Sequence, residues 1–135
     1  MDLELKGEIE RIRQIYCEDV LRKPNREVGL LGRKCEPRLM TTFLGYELKL
    51  GRKRIACPDL ASAHYLMVFA EIGLGVVRIP YDPTRTSILL EGLRHALDRI
   101  KENVARQIDD PPARSKRLRT VYAKIRQVCR CQETE

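Results

Sequence analysis

The sequence predicts a mixed α/β domain of the α+β type, with about three short strands and four helices. Apolar residues recur at helical spacing near the beginning of the chain and again through its second half. Between these regions, apolar and charged residues alternate over residues 46–50 with a period of two, which is typical of a strand. Residues 54–79 then read as strand, helix and strand, a succession that favours a right-handed crossover between parallel strands. We therefore expect a hairpin followed by a βαβ unit.

The chain opens with a predicted amphipathic helix over residues 3–22. Its apolar stripe follows spacings of three and four residues and consists of Leu5, Ile9, Ile12, Tyr16 and Val20. Pro24 ends the helix, because proline has no amide proton and its ring clashes with the preceding turn. Residues 25–37 contain glycines, a second proline and several cations, and we expect them to form an irregular basic loop.

The central region is predicted to form a hairpin. Residues 39–50 are rich in threonine and aromatic residues and are expected to form one strand. Gly51, with Arg52 and Lys53, then turns the chain into a second strand over residues 54–57.

A buried helix is predicted after the hairpin, with Pro58 at its first helical position and Gly73 at its end. A third short strand covers residues 76–79. A long amphipathic helix begins near residues 84–87 and runs to about Gln107.

Two acids followed by two prolines, at residues 109–112, form the clearest break in the chain. A final helix is predicted beyond it, over about residues 113–129. We therefore assign residues 1–110 to a single α/β domain. Residues 111–135 are assigned to a basic C-terminal helix that packs on the same domain.

The positive charge of the chain is concentrated in two blocks. The formal net charge is +7, and residues 29–58 carry 7 Lys+Arg against 2 Asp+Glu, as do residues 111–135. The tetrapeptide Leu-Gly-Arg-Lys occurs twice in the first block, at residues 31–34 and 50–53. Glycine followed by two cations permits a sharp turn that presents amides and charge to an anion. Segregated basic blocks of this kind are typical of proteins that bind nucleic acid.

We therefore expect a non-enzymatic module that binds the phosphate backbone of DNA or RNA. Sequence-specific reading of RNA bases is not expected, because the chain has only two Phe and five Tyr. The predicted contacts in the first block are Arg33, Lys34, Arg52, Lys53 and Arg54. Those in the C-terminal helix are Arg114, Lys116, Arg117, Arg119, Lys124, Arg126 and Arg130.

A ligand site or small enzyme is the first alternative, at the two strand-to-helix junctions. If the strands are parallel, both junctions lie at the same carboxyl edge, where open α/β sheets bind ligands. The candidate residues are Cys57, Asp59, Tyr81, Asp82, Thr84, Arg85 and Thr86. In this interpretation Arg85 and helix amides hold a phosphate, and Cys57 has a lowered pKa. The competing interpretation is that these side chains cap the helices.

A protein adaptor is the second alternative. The stripes of residues 3–22 and 113–129 are narrow enough for a two-helix seam. The terminal helices would then form a homodimer or bind another protein.

Several other classes are not indicated by the sequence. The five cysteines are odd in number and lack paired C-x-x-C spacing, so we expect reduced thiols, no metal site and no cofactor. There is no P-loop, dinucleotide-binding fingerprint or nucleophile elbow, which makes an enzyme the less favoured class. The apolar run at residues 60–70 is far shorter than the ~20 residues that span a bilayer. With no secretory signal pattern, a cytoplasmic protein without membrane contact is expected.

Overall fold

The computed structural model describes residues 2–30 and 36–130. In this part of the chain the fold is mixed α+β, with four helices and five strands in two small sheets, so the predicted class is confirmed. The helices are α1 (Leu3–Gln14), α2 (Leu60–Ile72), α3 (Pro83–Gln107) and α4 (Pro111–Arg130). The strands are β1 (Asn25–Gly29), β2 (Arg38–Thr42), β3 (Gly45–Leu50), β4 (Lys53–Cys57) and β5 (Val76–Pro80). The strands are more numerous than the three expected.

The predicted first helix is confirmed, but its C-terminal part is π-helical rather than α-helical. It begins at Asp2, whose side chain accepts a hydrogen bond from the Leu5 N–H at 2.8 Å. After α1 the chain continues as a π-helical segment, Ile15–Val20. Residues 15–17 of this segment are all buried, so the π-helical turn places three consecutive side chains in the core.

The first sheet pairs β1 with β5 in antiparallel register, from Asn25 opposite Pro80 to Gly29 opposite Val76. The basic loop predicted for residues 25–37 is therefore wrong at its beginning, where β1 forms. The start of β1 is the polar run Asn-Arg-Glu, which has no alternation of apolar residues to indicate a strand. Its strand conformation comes from pairing with β5, which is distant in sequence.

The second sheet is an antiparallel meander in the order β2, β3, β4. The single strand predicted over residues 39–50 is wrong, because the chain turns at Phe43 and Leu44, and Thr42 pairs with Gly45. Phe and Leu are not turn-forming residues, so the composition of this segment concealed the turn. Gly45, with a φ of 134°, supplies the backbone conformation that other residues rarely adopt.

The hairpin predicted between the next two strands is confirmed. Leu50 pairs with Lys53, so Gly51 and Arg52 form the two-residue turn between β3 and β4. Gly51 has a φ of 61°, in the left-handed region that such turns require. The second copy of the repeated tetrapeptide therefore forms the tip of this hairpin.

The predicted parallel crossover is wrong, because β4 and β5 belong to different sheets. The edge of β5 that faces away from β1 is occupied by two tyrosines. The Tyr65 hydroxyl donates to the Arg78 carbonyl at 2.6 Å, and the Arg78 N–H donates to the Tyr16 hydroxyl at 2.9 Å. These are the backbone groups that a further strand would need for pairing, so the sheet ends at β5.

The helices pack around one core shared with both sheets. Two ion pairs show the relative directions of these helices: Glu4 lies 2.8 Å from Arg106, near the beginning of α1 and the end of α3, so these helices are antiparallel. Glu71 near the end of α2 lies 2.8 Å from Lys101 late in α3, and so α2 and α3 run in the same sense. Among the described residues, no helix combines the length and apolar composition needed to cross a lipid bilayer.

The C-terminal helix α4 closes the core. Its residues Val121, Ile125 and Cys129 are buried, and α4 contacts the other three helices. Burial raises the pKa of Tyr122, and so does the hydrogen bond that its hydroxyl donates to the Glu71 carboxylate at 2.6 Å. The apolar stripe of α4 is therefore buried against other elements of the same chain.

Removal of either tyrosine hydroxyl at the β5 edge is expected to destabilise the protein. Tyr65→Phe leaves the Arg78 carbonyl without its donor, and Tyr16→Phe leaves the Arg78 N–H without its acceptor. Each should lower the free energy of unfolding by about 1–3 kcal/mol, measured by urea denaturation. Tyr81→Phe, at an exposed ring, is the control and should change it by less than about 0.5 kcal/mol. If both variants unfold at the same urea concentration as the control, the two hydroxyls do not stabilise the edge of β5.

Alanine at two helical glycines should have different effects on stability. Gly7 of α1 has open space around it, so Gly7→Ala should raise the free energy of unfolding by about 0.5–1 kcal/mol. At Gly92 of α3, a Cβ would lie 2.9 Å from Cδ1 of the buried Ile15, so Gly92→Ala should cancel or reverse that gain. Thermal and urea unfolding of the two variants measure the difference. Equal stabilisation of both would show that the Ile15 side chain can move away from α3 without cost.

Candidate nucleic-acid interface

The three-stranded sheet carries a row of cations on its outer face. The strand register places Arg38 opposite Lys49, and Lys49 opposite Arg54, so one residue from each of β2, β3 and β4 lies in the row. Arg38 is exposed, Lys49 is partly exposed, and the Arg54 side chain is 64% exposed. We call these three residues the cationic row.

The alternation of side chains along each strand shows on which face of the sheet the cationic row lies. The neighbouring register position holds Leu39, Leu48 and Ile55, which are part of the core or packed against it. Leu48 is fully buried. Because successive side chains on a strand point to opposite faces, the cationic row points away from the core.

The other predicted cations of the first block are distributed around this sheet. Arg52 is exposed at the turn between β3 and β4. Lys53 pairs with the buried Leu50 and extends over the backbone at Gly29, where a Cβ would lie 3.0 Å from its Nζ. Lys53 therefore belongs to the inner side of the hairpin. Arg33 and Lys34, in the first copy of the tetrapeptide, lie outside the described residues.

The charge balance of the outer face is positive. Like charges directly opposite one another on adjacent strands are destabilising, and here three occur in succession. Among the strand residues of this face, Glu47 is the one acid, and its Oε1 lies 3.5 Å from the Arg54 Nε. One carboxylate cannot balance three cations, and the exposed Arg52 adds a further positive charge.

Two arginines of the C-terminal helix cap other helices. Arg114 donates to the carbonyls of Ile108 and Ala105 at the end of α3, and Arg126 donates to the Ile72 carbonyl at 2.6 Å at the end of α2. Cations at helix C-termini satisfy free carbonyls and interact favourably with the helix dipole. These two side chains therefore have structural partners within the chain.

The remaining predicted cations of α4 lie on its solvent side or at its margin. Lys116, Arg119, Lys124 and Arg130 are exposed and Arg117 is partly exposed. The Arg130 Nε donates to the Arg126 carbonyl one turn earlier, at 3.3 Å. Charge patterning along the sequence does not distinguish these cations from the two that cap helices, because the carbonyls that Arg114 and Arg126 cap belong to other helices.

The acids at the strand-to-helix junctions cap the helices. The Asp59 carboxylate accepts hydrogen bonds from the N–H of Ser62 at 2.7 Å and from its hydroxyl at 3.0 Å. Asp82 accepts from the Thr84 N–H at 3.0 Å, and its carbonyl accepts from the buried Thr86 hydroxyl at 3.1 Å. Asp59 is thus the N-cap of α2, which begins after it rather than at Pro58.

The other candidates for a ligand site have separate positions and partners. Arg85 donates to the Asp19 carbonyl at 2.9 Å and so caps the end of the first helix. Tyr81 is exposed. Cys57 is buried, and burial raises the pKa of its thiol, the reverse of the lowered pKa that an activated cysteine requires. Because β4 and β5 are in different sheets, the two junctions do not share a carboxyl edge.

Residues 2–30 and 36–130 contain no cluster of three or more His, Cys, Asp or Glu residues placed to hold a metal ion. The described thiols Cys17, Cys57 and Cys129 are all buried. The other two cysteines, Cys35 and Cys131, lie outside the described residues.

The cationic row was missed because the β2–β3 turn was missed. Arg38 and Lys49 were not among the predicted contacts. A turn of two residues at positions 43 and 44, with the second turn at Gly51 and Arg52, is sufficient to bring residues 38, 49 and 54 into one row. The sequence feature that indicates the cationic row is therefore the spacing of the two turns, not a run of charged residues.

Comparison with known proteins adds no functional information, because no family model, no curated protein and no solved structure matches the chain.

The thiol of Cys57 is expected to be slow to react. Its raised pKa means that the thiolate forms only at a higher pH than for an ordinary cysteine, so alkylation should be slow at pH 7 and increase late in a pH titration. Peptide mapping by mass spectrometry after timed iodoacetamide treatment measures the rate at this residue. The same peptide in denatured protein is the matched control. Faster alkylation in the folded protein than in the control would restore the activated-thiol interpretation.

Proposed function

We propose that this protein is a non-enzymatic module that binds nucleic acid through its phosphate backbone. The observation that carries the proposal is the cationic row, Arg38, Lys49 and Arg54, which the register of three strands aligns on one exposed face. The exposed Arg52 at the adjoining turn extends this positive surface.

The spacing of the row suits a polyanion. Adjacent strands lie about 4.8 Å apart, so three cations in register span about 10 Å across the sheet. Arginine binds phosphate oxygens in a bidentate manner, and lysine acts as a point charge beside it. A bound phosphate backbone would also relieve the mutual repulsion within the row.

The chemistry of this surface favours binding without base-specific contacts. Its cations interact with phosphates, which position a ligand but carry no sequence information. The exposed cations of α4, Lys116, Arg119 and Lys124, are candidates for additional phosphate contacts. Arg114 and Arg126 are not included in this contact set, because they cap helices.

The two alternatives have less support from the geometry. The apolar stripes of α1 and α4, which a terminal-helix dimer would need, are buried in the core of one chain. Of the junction residues predicted for a small-ligand enzyme, Asp59 and Asp82 are engaged in helix caps, and the Cys57 thiol has a raised pKa.

The salt dependence of binding tests the proposal. We expect wild-type protein to bind labelled oligonucleotides with an affinity that falls linearly on a log–log salt plot, measured by fluorescence anisotropy. The variant Arg38→Gln with Lys49→Gln and Arg54→Gln should bind more weakly, and its slope on single strands should be smaller by about 2, since each phosphate contact contributes about 0.7.

A control variant of equal charge separates local contacts from net charge. Lys6→Gln with Arg22→Gln and Lys23→Gln removes three exposed cations from α1 and the region before β1. This variant should keep a slope near that of the wild type. Equal losses in the two triple variants would show that net charge, rather than the cationic row, is responsible. No binding by the wild type at low salt would refute the proposed function.

A further inference from the structure

The turn between β2 and β3 exposes two large apolar side chains. Phe43 is 102% exposed and Leu44 is 91% exposed, values close to those of an extended chain. Neither contributes to the core, and neither is a residue that favours turns. Met40, on the adjoining outer face of β2, is 43% exposed.

These apolar side chains lie on the same sheet as the cationic row. Along β2, the outward-facing positions are Arg38, Met40 and Thr42, and the turn at Phe43 follows directly. At about 3.3 Å per residue, the turn lies about 16 Å from the row. The sheet therefore has cations at one end of its outer face and an exposed aromatic ring in the turn at its other end.

We infer that the ligand is a single-stranded nucleic acid, and that Phe43 stacks on one of its unpaired bases while the cationic row binds its phosphates. This inference rests on the proposed function and adds the class of nucleic acid to it. The aromatic ring has exposed faces, and every base offers a π-face to stack on, so the contact needs no particular sequence.

Single strands fit this surface better than a duplex does. In a duplex the bases are stacked on one another, and a hairpin tip would have to separate two base pairs to reach a π-face. In a single strand the bases are accessible beside the backbone. Glu47 lies on the outer face between the row and the turn, where it would repel phosphates, but Arg54 lies within 3.5 Å of it.

A matched pair of exposed side chains makes the inference testable. Phe43→Leu keeps an apolar side chain but removes the ring, and Leu44→Ala removes a neighbouring apolar side chain that has no ring. Both positions are exposed, so neither change affects the core. The probes are labelled oligothymidylate and a labelled DNA duplex of the same length, titrated across salt concentrations.

The expected result is specific to the ring and to the single strand. Phe43→Leu should weaken binding to oligothymidylate by at least about five-fold, because the free energy of base–aromatic stacking corresponds to that factor or more. The salt slope should be unchanged, because the variant keeps the phosphate contacts. Leu44→Ala should bind within about two-fold of wild type, and duplex binding should be equal in all three proteins.

A fluorescent variant provides a direct readout of stacking. The chain contains no tryptophan, so Phe43→Trp introduces a single indole at the turn. Oligothymidylate should quench its fluorescence, whereas the duplex should not. Indole at this position should also preserve the affinity for oligothymidylate, because it stacks at least as well as a phenyl ring.

Three outcomes would overturn the inference. Wild-type affinity of Phe43→Leu for oligothymidylate would exclude stacking, while the salt slope and the cationic-row variant would still report on the proposed function. An equal loss in Phe43→Leu and Leu44→Ala, with binding to phosphatidylserine vesicles, would indicate that the turn inserts into an anionic membrane surface. Absence of wild-type binding to both oligonucleotides would refute the proposed function and this inference together.

Discussion

The arrangement of both sheets depends on the hydrogen bonds that two tyrosines make to one peptide segment. Tyr16, from the π-helical segment after α1, and Tyr65, from α2, bond the N–H and the carbonyl of Arg78 in β5. Both rings contact Phe69, with centroid distances of 5.3 and 5.0 Å. Unpaired backbone groups at this depth would be costly, so the tyrosines both satisfy β5 and prevent it from extending the sheet. The remaining strands form a second sheet of their own.

The separate three-stranded sheet has one face on the core and one face in solvent. Its two turns of two residues set the register, and the register decides which side chains share a row. A shift of one residue in either hairpin would exchange the apolar row of Leu48 for the cationic row of Lys49. The exposed charge of this face is therefore a consequence of turn geometry as much as of composition.

Cations that look alike in the sequence have different roles in the folded chain. Arg85, Arg114 and Arg126 direct their guanidinium groups to carbonyls at the ends of three helices, so they stabilise helix termini that other side chains leave open. Arg38 and Arg54 instead point to solvent beside Lys49. A count of basic residues cannot separate these roles, because a helix-capping arginine is identified by a carbonyl that is distant in sequence.

The sequence alone determined the elements whose signals are local: the amphipathic spacing of α1, α3 and α4, the end of α2 at Gly73, and the Gly51 turn. It also determined that the excess charge lies in two blocks. Tertiary structure alone decided the polar strand β1, the turn at Phe43, the separation of the two sheets and the alignment of the cationic row. The physical reason is that these features depend on which distant backbone groups pair, and the free energy of that pairing is not contained in the spacing of neighbouring residues.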